Sequence, residues 1–148
     1  MDVLLKGVQR LGIRLEEDQV DLFRRYLQEL TEWNRRVNLT AIVEPREIQR
    51  KHFLDSLTVS LAIPEEVLTG GALMDIGSGG GFPGLPLKIV WPGLRVTLVE
   101  SVGKKAAFLR HLLETLGLEG AEVRDLRAES LAHDPELRAA FDVVASKS

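Results

Sequence analysis

The stretch ALMDIGSGGGFPG, residues 72–84, runs from an apolar segment straight into a cluster of glycines with a proline among them. Glycine inside regular structure costs roughly 0.5–1 kcal/mol relative to alanine. A cluster therefore belongs where the chain needs left-handed backbone or the close approach of a ligand. An apolar run before the glycines and a helical pattern after them, Leu85 to Val90, place the loop at a strand-to-helix turn.

Further runs of the same texture follow: RVTLVE (95–100), AEVRDL (121–126) and FDVVAS (141–146). Helical stretches separate them at Lys104–Leu116 and, more weakly, at Ser130–Ala140. Alternating strand and helix implies right-handed βαβ units and a parallel sheet covered on both faces. In such a sheet ligands bind beyond the carboxyl ends of the strands, where DIGSGGGFPG lies.

Two ligand classes compete for that loop, and the register of its glycines separates them. Gly79, Gly81 and Gly84 fit the G-x-G-x-x-G of dinucleotide sites; Gly77, Gly79 and Gly81 fit the G-x-G-x-G of methyltransferases that use S-adenosylmethionine. A dinucleotide pyrophosphate is held by free N–H groups at the next helix N-terminus, and Pro83 and Pro86 remove two of them. That disfavours an NAD-dependent oxidoreductase. Glu100 closes the second strand 23 positions after Gly77, placed to accept hydrogen bonds from ribose hydroxyls, although a solvated strand end is the alternative. Asp75, two residues before Gly77, can orient the loop, meet a cationic ligand group or cap the turn.

The preceding residues read as helical. Val20, Phe23, Leu27, Leu30, Trp33 and Val37 recur at steps of three and four and predict one amphipathic helix over 16–37. A shorter helix precedes it and stops near Gly12, and a third is predicted over Pro45–Leu61, with proline suited to its first turn. Residues 1–62 form a helical cap in this reading and residues 63–148 the sheet domain.

Composition narrows the function. The chain has 148 residues, 45% of them hydrophobic, no cysteine and a net charge of −3. These values fit a globular protein able to bury a core, with no disulfide framework and no thiolate nucleophile or metal site. The charged start and the lack of an apolar run of about 18 residues argue against a signal peptide or membrane span and point to the cytosol. Positive charge is local: between residues 24 and 52 there are seven basic residues against four acidic, and Lys104, Lys105 and Arg110 extend the surplus. Such a patch suits phosphates, though an ordinary charged helix face has the same look. His52 and Asp55, three apart on one helical face, read as a local capping or packing pair.

Taken together, NLTAI (38–42), KHFLDSL (51–57), DIGSGGGFPGLPLKI (75–89), VTLVES (96–101) with KKAAFL (104–109), and RAE (127–129) resemble the bacterial ribosomal RNA small-subunit methyltransferase G family, also called GidB. The resemblance implies an α/β, Rossmann-like class I methyltransferase fold, its first four strands in order 3-2-1-4, with further C-terminal strands absent from this chain. It implies methylation of a guanine N7 in 16S ribosomal RNA, with S-adenosylmethionine as donor and the RNA or small ribosomal subunit as partner; a monomer is expected. Cofactor contacts carried over are Gly77, Phe82, Ala128 and Glu129, to which the wider class adds Gly79, Gly81 and Glu100. At position 147 the family usually has arginine in a cofactor role, and Lys147 stands there instead, with the charge but without the planar fork. Guanine N7 has a lone pair and no proton to lose, so no catalytic acid or base is assigned. A non-catalytic fragment that binds cofactor or RNA is the alternative.

Overall fold

A computed structural model describes residues 1–147. The N-terminal helices are α1 (Asp2–Arg10), α2 (Glu17–Asn34), α3 (45–62) and α4 (Glu65–Gly70). Gln19, in the first turn of α2, completes a capping box with Glu16 and also donates from Nε2 to the Ile89 carbonyl at 3.0 Å, fixing α2 against the helix after the glycine loop. The predicted helix over 45–61 is continuous but not uniform. It widens to a π-helical turn at Gln49–Leu54 and tightens to 3₁₀ geometry at Val59–Ala62. Helix α4 is an addition to the sequence reading, started by Pro64 with Glu65 and Glu66 in its first turn.

The sheet domain then alternates: β1 (Ala72–Ile76), α5 (Gly84–Val90), β2 (Arg95–Val99), α6 (Gly103–Leu116), β3 (Ala121–Arg124), α7 (Ala128–Ala132), α8 (Pro135–Ala139) and β4 (Val143–Ser146). All four strands are parallel, in the order β3-β2-β1-β4, as expected. Ile76 lies level with Val99 on one side and Ser146 on the other, so three strands end together beneath the glycine loop. One expected element is corrected: the helix over 130–140 is two short helices. Asp134 breaks it, its carboxylate accepting from the Glu136 and Leu137 amides while Pro135 starts a new turn.

Strand alternation sorts the core onto two faces. Leu73, Val96 and Leu98 join Phe23, Tyr26, Leu30, Phe53, Leu85 and Phe108 in one large cluster, which takes in residues from both the N-terminal helices and α5 and α6. Met74 and Val99 point the other way and pack with Leu131 in a smaller cluster. Asp75 shares its face with Leu73. Its carboxylate is therefore turned toward α5 and α2, in the larger core.

Candidate functional site

The loop between β1 and α5 is held by backbone geometry that only glycine adopts freely. Gly77, Gly79 and Gly81 have φ of +71°, +54° and +101°. Their surroundings differ. A Cβ on Gly77 would meet nothing within 4 Å, whereas one on Gly81 would strike the Tyr26 hydroxyl and lie 3.0 Å from Leu85. Gly77 is bare toward open space, and Gly81 is bare to admit Tyr26, whose hydroxyl donates to the Gly80 carbonyl at 2.6 Å.

Two acidic side chains fix this loop from the strand ends. Glu100, 5% exposed, accepts from the Gly79 amide at 2.8 Å through Oε1 and from the Val102 amide at 2.9 Å through Oε2. Each oxygen keeps a second lone pair. Asp75, wholly buried, accepts from the Gly84 amide at 2.8 Å through Oδ2, while Oδ1 has no hydrogen-bond partner among the described residues. Burial raises the Asp75 carboxyl to about 8, against the pull of Gly84 and Ser78. The turn-orienting role is thus the one the geometry shows for Asp75.

That shift has a measurable consequence. The ordinary Asp pKa is 3.8, so between there and about 8 the folded chain holds a proton that the unfolded chain has released. Stability from this group is complete below the lower value and is lost as pH rises through the upper one. Asp75→Asn, which keeps an amide-accepting oxygen but cannot titrate, is expected to flatten the decline in thermal midpoint between pH 5 and 8. An unchanged slope would contradict the assignment.

Beside the loop lies a cleft of about 260 Å³, lined by Leu39, His52, Gly77, Ser78, Gly79, Gly80, Phe82 and Lys147. Phe82 is stacked between two rings, Tyr26 at 5.6 Å and His52 at 4.4 Å, each within 6° of parallel. The Lys147 ammonium stands 5.5 Å from the same ring. Burial first, and Lys147 second, lower His52 to about 4, so its imidazole is neutral at pH 7. The structure thus gathers Gly77, Gly79, Phe82 and Lys147 around one cleft, with Glu100 behind it. Ala128 and Glu129 open α7, beyond the end of β3; both are exposed and neither lines this cleft. His52, read from sequence as part of a capping or packing pair, lines this cleft, and Thr40 hydrogen-bonds to its ring from outside the lining. Their signal was present in NLTAI and KHFLDSL, which carry the resemblance without showing why.

A family model described as GidB, rRNA small subunit methyltransferase G, matches residues 19–148. The chain belongs to this family. It is 51% identical over 148 residues to the ribosomal RNA small subunit methyltransferase G of Roseiflexus sp. (strain RS-1) and 44% identical to that of Dehalococcoides mccartyi (strain CBDB1). Each match covers 100% of this chain and 62% of the relative, so the chain spans somewhat under two thirds of these GidB proteins. Among solved structures, the crystal structure of MtNAS in complex with MTA and tNA matches with a TM-score of 0.55 at 23% identity, over 85% of this chain and 44% of that one. A mutant of MtNAS in complex with S-adenosylmethionine matches at 0.53 and 23%, over 86% and 48%. At that identity the likeness supports the fold.

Proposed function

We propose that this chain carries the cofactor-binding part of an S-adenosylmethionine-dependent methyltransferase that modifies N7 of a guanine in 16S ribosomal RNA. The observation that carries the cofactor class is the fate of the donors at the start of α5. Gly84 N–H goes to the Asp75 carboxyl group, Leu85 N–H to the Gly81 carbonyl at 2.8 Å, and Pro86 has none. A pyrophosphate would find the Gly84 and Leu85 amides already taken, against the usual logic of anion binding at helix N-termini. A ligand without phosphates loses nothing.

S-adenosylmethionine supplies an electrophilic methyl on a sulfonium. In this reading Gly77 and Gly79 let it lie against bare backbone, Glu100 offers its remaining lone pairs to ribose hydroxyls, Phe82 and Lys147 form one wall, and Ala128 and Glu129 meet its far end. Gly81 serves from behind, by fitting the loop to Tyr26. Because N7 needs no deprotonation, the residues act by holding the acceptor in line and excluding water. Residues 1–62 act as a cap that carries the RNA. Its basic side chains pair with acidic neighbours, Arg24 with Asp21, Arg35 with Glu32, and Arg50 and Lys51 with Glu47, all as exposed pairs. Exposed pairs are worth about 0–1 kcal/mol, so phosphates can recruit these cations at little cost.

Titration calorimetry of the chain with S-adenosylmethionine tests the cofactor. Incubation of the longest natural form with small ribosomal subunits and labelled cofactor tests the reaction, N7-methylguanine being located by reduction and aniline scission. Label in 16S RNA that is not at a guanine N7 overturns the position, and no label overturns the activity. Cofactor binding without transfer by that form would favour the non-catalytic alternative.

A further inference from the structure

His52 stands where three parts of the chain meet. It lies in the π-helical turn of α3, its ring stacked on Phe82 of the glycine loop. Its Nε2 is 2.7 Å from Thr40 Oγ1, and its Nδ1 is 3.4 Å from Lys147 Nζ, just past the end of β4. An ammonium only donates. Nδ1 must therefore be the acceptor, and a neutral ring carries its proton on Nε2, donated to Thr40. Thr40 Oγ1 also accepts from the Ile42 amide at 3.1 Å, which holds it in place.

Three groups of α3 hold the Lys147 ammonium, two as hydrogen-bond acceptors and the last as an ion-pair partner. They are the Lys51 carbonyl at 3.0 Å, His52 Nδ1, and the Asp55 carboxylate at 3.5 Å. These groups explain how a lysine without a guanidinium fork is held at a fixed point of the cleft wall. Protonating His52 would remove one of them and set a second cation beside the first.

We propose that His52, as its neutral Nε2–H tautomer, is a positioning residue that seats the Lys147 ammonium in the cleft and, through its stack on Phe82, holds that wall against the glycine loop. The inference rests on the cofactor reading above and adds to it the residue through which the cap acts on the cofactor. Charged groups facing the ring are Lys147 and Asp55, and they act in opposite senses. The Lys51 carbonyl meets Lys147, and the Lys51 ammonium pairs with Glu47 at 3.1 Å.

Two measurements on the whole chain decide the matter. Nitrogen-15 correlation spectra of the imidazole are expected to show the Nε2–H tautomer at pH 7, with a midpoint near 4 that rises in Lys147→Met. A ring protonated on Nδ1, or a midpoint unmoved by Lys147→Met, overturns the seating. In calorimetry with S-adenosylmethionine, His52→Phe keeps an aromatic ring but loses both hydrogen bonds. It is expected to weaken binding by about tenfold, Lys147→Met by a similar factor, and the double variant by no more than either single one. Equal affinity in wild type and either single variant, or additive losses, overturns the positioning role. Should His52→Phe not fold, Thr40→Val removes the acceptor of the Nε2 proton instead, with the same tautomer readout and the same expected loss of affinity. If the wild-type chain binds no cofactor, the methyltransferase reading fails separately, while tautomer and midpoint still decide whether His52 seats Lys147.

Discussion

Gly81→Ala is expected to destabilise the fold by roughly 3–5 kcal/mol, from two additive sources. The first is conformational: φ at +101° lies outside the region an L-residue occupies, even the left-handed helical one. The second is steric. The new methyl would overlap the Tyr26 hydroxyl and crowd Leu85, and neither can move freely. Tyr26 is wholly buried, packed 4.9 Å from Phe53 and 5.6 Å from Phe82, and its hydroxyl bonds the Gly80 carbonyl. Moving it strands a buried hydroxyl and a carbonyl, at a cost of about 1–3 kcal/mol. Gly77→Ala is the control, since it has positive φ but open space around it, and about 1 kcal/mol is expected there. Urea denaturation with a constant m-value measures both. Equal costs at the two positions would show that Tyr26 does not constrain the loop.

This contrast marks the boundary of what the sequence could disclose. The strand-loop-helix order was legible because period-2 and period-3.6 patterns are local, and the loop announced itself through residues that are costly anywhere else. Which glycine faces open space and which faces the core was not legible, because Tyr26 is 54 residues from the carbonyl it binds. His52 is a similar case. Its neighbours in the sequence made it part of an amphipathic helix, while its partners Thr40, Phe82 and Lys147 come from separate segments. The π-turn that contains it leaves no periodicity signal of its own, since one extra residue per turn is lost in the scatter of apolar spacing. Asp134-Pro135 is different. A cap followed by proline is a local helix-start signal, legible in the sequence alone.

Glu100→Gln is expected to weaken S-adenosylmethionine binding by about 100-fold, although the side chain keeps its shape. The reason is donor arithmetic. Both carboxylate oxygens accept a backbone N–H, from Gly79 on one side and Val102 on the other. An amide offers one oxygen and one NH₂, so whichever way it turns, one backbone donor faces another donor. If the oxygen keeps Val102, the Gly79 amide is released and the loop loses the contact that sets its φ. If it keeps Gly79, the start of α6 is disturbed at Val102, its N-cap. Loss of charge also weakens the surviving bond, and it lowers the acceptor strength offered to ribose hydroxyls. Glu100→Asp separates the two effects, since it retains charge and four lone-pair sites but is shorter by one methylene. An intermediate loss of affinity is expected there. Calorimetry on the two variants, with far-ultraviolet circular dichroism to confirm that the sheet is intact, gives the comparison. Wild-type affinity in Glu100→Gln would show that the cofactor neither needs the Gly79 clamp nor touches Glu100, and would remove this residue from the site.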